Sequence, residues 1–190
     1  MPTRRLALAF ALLVAPALAA CADDDSSDPV NRPAPSASSA APGGRPADAS
    51  VAAHVAVIEQ RIAANNAHDW DTWQELHTPG VIRTAPGLGA PLVGAAALRA
   101  GIEELHGAFP DYTLTLRDAF GAGDRLVVRI HQTGTMLGPI EFGGALVPPT
   151  GRRMEQEWVA LVRFEGERIA EFHEFYDNYE LLGQLGLAGG

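Results

Sequence analysis

At Pro110 the spacing of apolar residues changes from three and four to two, and this switch constrains the fold more than any other feature of the chain. Upstream, Val51, Val55, Ile58 and Ile62 step by four, three and four, which is one face of an α-helix, and Ser50 stands where a helix cap belongs. Asp69 or Asp71 opens a second, shorter helix with Trp70, Trp73 and Leu76 on one stripe, stopped by Pro79 and Gly80. Beyond a stretch rich in glycine and proline, Gly94 leads into a third helix carrying Leu98, Ile102, Leu105 and Phe109, ended by Pro110. Downstream, Tyr112, Leu114 and Leu116 alternate with threonines, Gly121 to Asp124 make a turn, and Leu126 to Thr135 form a strand rich in β-branched residues. Met154 to Phe164 and Ile169 to Asp177 are further strands around a turn at Glu165 to Glu167, while Leu137 to Arg153 reads as a long loop that closes over the domain as a lid. Helices first and antiparallel strands afterwards specify an α+β class. The expected architecture is a cone-shaped α+β barrel, with three N-terminal helices packed on a curved antiparallel sheet around a pocket.

The ends of the chain carry different information. Arg4 and Arg5 precede an apolar run from Leu6 to Ala20, which is too short to span a bilayer comfortably, is broken by Pro16, and reads as a secretory signal. The run closes on Leu18, Ala19, Ala20 and Cys21, which resembles the lipobox of bacterial lipoproteins, where the cysteine thiol receives a diacylglycerol and becomes the new N-terminus. Several acyl chains on one residue hold a protein to a membrane where one would not. The alternative is an ordinary signal peptide with an incidental cysteine. From Ala22 to Ala49 the chain is mostly Asp, Ser, Pro and Ala, which cannot bury enough surface to order itself and reads as an extended tether. The expected organisation is therefore a signal peptide over 1–20, a tether over 21–49, and a folded domain over 50–190, lipid-anchored through Cys21 at the cell envelope. The formal net charge of −9, with no lysine, argues against a nucleic-acid partner, which needs a concentrated positive patch.

Within the last strand, Glu171, His173, Phe175 and Asp177 share one face, while Ala170, Phe172, Glu174 and Tyr176 share the other. If the first face lines a closed cavity, burial suits Asp177 to proton transfer near neutral pH. The same position also suits a cap for a following helix. His173 lies four residues before Asp177, roughly 13 Å along the strand, so the two flank a ligand without touching. It is either a second acid–base or polar contact, or a rim histidine bonded to a neighbouring strand. Gln132 faces the pocket if His131 faces out, and Trp73 is core or pocket wall. His131, His173 and Glu171 come without the short-range pairing that fixes metal ligands, so no metal is expected. No glycine-rich phosphate loop, serine elbow or catalytic cysteine is present.

Several short stretches taken in order carry a family resemblance: Phe109-Pro110-Asp111, Gly123-Asp124-Arg125, Val128-Arg129, Gly134-Thr135, Pro149-Thr150-Gly151-Arg152-Arg153, and Ile169-Ala170-Glu171 continuing to Asp177 and Leu181-Leu182. From Val51 to Gly186 the chain resembles the SnoaL-like polyketide cyclases of the nuclear-transport-factor-two-like superfamily. The resemblance implies that a carboxylate at the place of Asp177 is the acid–base of an intramolecular aldol closure, run without metal or organic cofactor. It also implies a small hydrophobic molecule as partner and homodimers built through the outer face of the sheet. His173 stands where the family has tryptophan, Met136 where a histidine often follows Gly-Thr, and Arg83, Thr84 and Ala85 where a further histidine is common. Trp73, Gln132, Met136 and Phe175 are accordingly the expected substrate contacts of a redecorated pocket. Without chemistry, the same domain is a binding module for a hydrophobic ligand or a dimerising structural module.

Overall fold

The structure, a computed structural model, describes residues 46–142 and 145–188. The expected signal run, Cys21 and the expected tether up to residue 45 lie outside the described residues. The chain runs α1 (Pro46–Ala67), α2 (Trp70–Glu75), β1 (His77–Thr84), β2 (Leu92–Val93), α3 (Ala95–Ala108), β3 (Thr113–Ala122), β4 (Arg125–Thr135), β5 (Ile140–Phe142), β6 (Ala145–Val147), β7 (Arg153–Glu165), β8 (Arg168–Phe175) and α4 (Asn178–Leu185). Helix α1 begins four residues before the expected cap at Ser50. Asp69 caps α2 by accepting a hydrogen bond from the Thr72 amide at 3.1 Å, and Gly94 opens α3 with φ at 93°, a conformation that glycine adopts without strain. No helix among the described residues is long and apolar enough to cross a membrane.

Six strands form one sheet in the order β2-β1-β8-β7-β4-β3, and β5 pairs with β6 in a separate hairpin inside the expected lid loop. Every pairing in the large sheet is antiparallel except that of β1 with β8, which runs parallel from His77 opposite Ile169 to Thr84 opposite His173. Strand β1 replaces the expected stop at Pro79-Gly80: the proline sits within the register shift between His77 and Ile82, where no ladder amide is required of it. Further shifts lie between Leu116 and Asp118 and between Arg163 and Phe164. These irregularities bend the strands, so the sheet curls around α1 and α3. The result is a mixed α+β fold with a curled, mainly antiparallel sheet and, among the described residues, four helices.

The core lies on the concave side. Alternate residues of β4 (Leu126, Val128, Ile130) and β7 (Trp158, Ala160, Val162, Phe164) point inward against Ile58, Ile62 and Trp73. Asn66 ties α1 to the edge strand β3: its side chain accepts from the Leu114 amide and donates to the Leu114 carbonyl, both at 2.9 Å, as a neighbouring strand would. The chain leaving β4 docks on the end of α3 through the Leu137 and Gly138 amides, which both donate to Ala108 O. Any Cβ at Gly138 would collide with the Gly107 carbonyl. On the convex face Phe120, Leu161 and Phe175 remain exposed.

Candidate functional site

A cavity of about 280 Å³ opens between the concave sheet and the helices. Leu98, Ile102 and Leu105 of α3, Leu181, Leu182 and Leu185 of α4, and Met154 and Trp158 of β7 give it an apolar wall. Its polar floor comes from five elements: Arg61 of α1, Arg83 of β1, Tyr112 just before β3, Gln132 of β4, and Glu174 with Tyr176 at the end of β8. Ile140 and Glu141 bring the β5 end of the long loop to the same cavity.

The floor holds several separate groups of hydrogen bonds. Arg83 grips Glu174 with two parallel bonds, Nε to Oε1 at 2.7 Å and Nη2 to Oε2 at 2.8 Å, the strongest geometry a guanidinium offers a carboxylate. The Glu174 side chain is only 6% exposed. Burial alone would lower the Arg83 guanidinium, but the charge and hydrogen bonds of Glu174 outweigh it and the net shift is upward. Tyr112 donates to Gln132 at 2.8 Å, and Tyr176 donates to the Pro86 carbonyl at 2.6 Å. Burial, reinforced by the charge of Glu174, raises both phenols, Tyr176 to about 12, so each is a neutral donor at physiological pH.

Arg61 sits deeper. Its Nε donates to His77 Nε2 at 3.3 Å, while His77 Nδ1 donates to the Trp73 carbonyl at 2.8 Å, which fixes the tautomer. The guanidinium lies 4.3 Å from the ring centroid of Phe172 and 5.1 Å from that of Trp73. Burial lowers Arg61 to about 10, partly offset by Glu174, and it stays cationic at neutral pH. Burial and the nearby Arg61 charge push His77 down to about 3, so it stays neutral.

The expected site residues are dispersed. Trp73 and Gln132 line the cavity. Met136 is fully buried in the core, its sulfur accepting from Thr150 Oγ1, and does not line the cavity. The face of β8 is inverted relative to expectation: Phe172, Glu174 and Tyr176 point inward, and Glu171, His173 and Phe175 point to the convex side. Phe175 is 55% exposed. His173 bonds Thr84 Oγ1 at 2.9 Å and Glu171 at 3.3 Å on that outer face. Asp177 is exposed and caps α4, accepting from the Tyr179 and Glu180 amides at 2.9 and 3.0 Å. Both bonds fall on one oxygen, Oδ1, and Asp177 is not among the residues that line the cavity. His131 turns outward to Glu155 at 3.1 Å. Among the described residues no three His, Cys, Asp or Glu side chains converge as a metal site would require.

Of the six floor residues only Gln132 was expected, and the three charged ones, Arg61, Arg83 and Glu174, each had a signal in the sequence. Arg61 follows Ile58 by three and precedes Asn65 by four, so it rides the buried stripe of α1. Glu174 alternates with Phe172 and Tyr176, a carboxylate inside an aromatic row that demands a cation. Arg83 is that cation, in a segment that reads as a turn.

The comparisons agree with this architecture. The family model described as SnoaL-like polyketide cyclase matches residues 55–185. Among solved structures the chain is similar to AclR of Streptomyces galilaeus, a candidate hydroxylase, at 28% identity over 74% of this chain and 100% of that one, with a TM-score of 0.61. It is similar to IdmH of Streptomyces antibioticus, a candidate polyketide cyclase, at 31% identity over 70% and 98% of the two chains, with a TM-score of 0.58. A Catenulispora acidiphila protein with a ketosteroid isomerase-like fold shares the fold at 18% identity, over 69% and 92% of the chains and with a TM-score of 0.57. No curated protein matches. With the family model spanning more than half its length, and the curled sheet and cavity in place beneath it, the chain belongs to the SnoaL-like polyketide cyclase family.

Proposed function

We propose that the domain binds a small, mainly apolar molecule in its cavity, with an oxygen-bearing end turned to the polar floor. The observation that carries this reading is a leucine-rich wall and a hydrogen-bonding floor enclosing the same hollow of about 280 Å³. Apolar groups gain by leaving water for such a wall, while a few fixed donors set orientation. The uncharged dye N-phenyl-1-naphthylamine is expected to bind saturably with a rise in fluorescence, and Leu182→Trp, which fills the space beside α4, is expected to abolish that rise. Equal enhancement by both proteins would place the dye elsewhere and defeat the reading.

A second reading, cofactor-free proton transfer, is favoured by Glu174 and Arg61 lining one cavity. A carboxylate can take a proton α to a carbonyl while a guanidinium receives the charge that develops on oxygen. In this reading the acid–base group is Glu174. Deuterium exchange at the α-carbon of an aryl ketone in D2O, followed by NMR, is expected to be accelerated by the wild type and by Asp177→Asn alike, because asparagine preserves the α4 cap. Exchange no faster than in buffer leaves binding alone, and exchange lost in Asp177→Asn returns the role to that residue.

A further inference from the structure

The interior of the domain carries one positive charge too many. Two guanidiniums, Arg61 and Arg83, line the cavity, and the single carboxylate at its floor, Glu174, has both oxygens engaged by Arg83. Glu104 and Glu141, which also line it, are exposed at the rim. Arg61 is 4% exposed. It gives its Nε to neutral His77 and its faces to Phe172 and Trp73; among the described residues its two terminal nitrogens have no hydrogen-bond partner and it joins no ion pair. A buried guanidinium without an anion is costly, because neither an imidazole nor a ring face replaces the water it has lost.

We propose that Arg61 is the docking point for a carboxylate borne on an otherwise apolar ligand. This rests on the cavity being a ligand site and adds the class of ligand. The body of the molecule lies against the leucines of α3 and α4, and its carboxylate meets the terminal nitrogens of Arg61. The geometry favours a carboxylate over other anions in two ways. Two oxygens in one plane match the end-on fork of a guanidinium. One negative charge balances the excess in the cavity wall, whereas a phosphate dianion would leave an excess of the opposite sign.

Octanoate and 1-octanol share a chain and differ in the head group, so the pair isolates the charge. Binding of each to the full-length protein at pH 7.5 is read from tryptophan emission, which the contact of Trp73 with Arg61 makes sensitive to this spot. Octanoate is expected to bind about 10- to 100-fold more tightly than octanol, the range for a hydrogen-bonded charge pair. In Arg61→Met the two are expected to bind equally, at the wild-type octanol affinity, and the Tm without ligand is expected not to fall. Arg61→Lys, which keeps the charge and loses the fork, is expected to retain only part of the preference and serves if the methionine variant does not fold. Equal binding of the two compounds by the wild type overturns the proposal while leaving the cavity reading intact. Binding of neither overturns both, and a lowered Tm in Arg61→Met with the preference undiminished marks Arg61 as merely structural and also overturns it.

Discussion

Glu174→Gln is expected to cost about 3–5 kcal/mol of folding stability, the range for removing one partner of a buried ion pair. The amide keeps the shape of the side chain and discards its charge, leaving Arg83 and Arg61 as two like charges inside the domain. The attraction that raises Arg83 is lost, and the burial that opposes it remains. Urea unfolding of the variant against the wild type measures the difference. Replacing both partners, as Arg83→Met with Glu174→Leu, is expected to recover most of the loss, because an apolar pair of similar volume requires no counter-ion. A loss below about 1 kcal/mol for the single variant would show the pair to be effectively solvated and would remove the electrostatic account of the cavity floor.

Mild acid is expected to destabilise the fold through two buried histidines. Burial and Arg61 hold His77 at about 3, against a hydrogen bond to the Trp73 carbonyl that acts the other way. Burial, with a smaller contribution from His68, holds His106 at about 4. The His106 ring is packed against His68, Trp70 and Tyr112, and neither of its nitrogens has a partner to receive a charge. Both values lie below the 6.5 of a free histidine, so the unfolded chain binds protons that the folded chain refuses. Stability is therefore full above pH 6.5 and falls as pH drops, by about 1.4 kcal/mol per pH unit for each histidine, until about pH 4 for His106 and pH 3 for His77. Between pH 7 and pH 5 the two together remove roughly 4 kcal/mol. Asp69, Asp111 and Glu171, all lowered mainly by hydrogen bonds, add a loss of the same sign only at lower pH. Denaturant unfolding at pH 7 and pH 5 decides the matter: unchanged stability would mean that the two rings are charged in the native state.

The helices and the main strands were legible because their patterns are local. Ile58 and Ile62, Leu98 and Ile102, and the alternation through β4 and β7 each report a face within a few residues. Asp69 and Gly94 mark helix starts for the same reason. What escaped depended on partners far along the chain. Strand β1 contains Pro79-Gly80, the strongest local stop signal available, and is held as a strand by pairing with β8 some 90 residues later. The inversion of β8 has the same origin. Glu174 reads as a surface residue until Arg83 is placed against it, and with Glu174 outside, Asp177 and His173 fall inside; one unforeseen ion pair reverses the face of the whole strand. The α4 cap at Asp177, weighed as an alternative, is the role that the geometry supports.

The parallel pairing of β1 with β8 also bears on when the domain can form. Thr84 and His173 are 89 residues apart in the chain, yet their side chains are 2.9 Å apart in space. Until β8 has been synthesised, β1 has only the two residues of β2 to pair with in the sheet, and Arg83 lacks the carboxylate of Glu174. Assembly must then wait for the last strand to leave the ribosome, a slow order of events typical of high contact order.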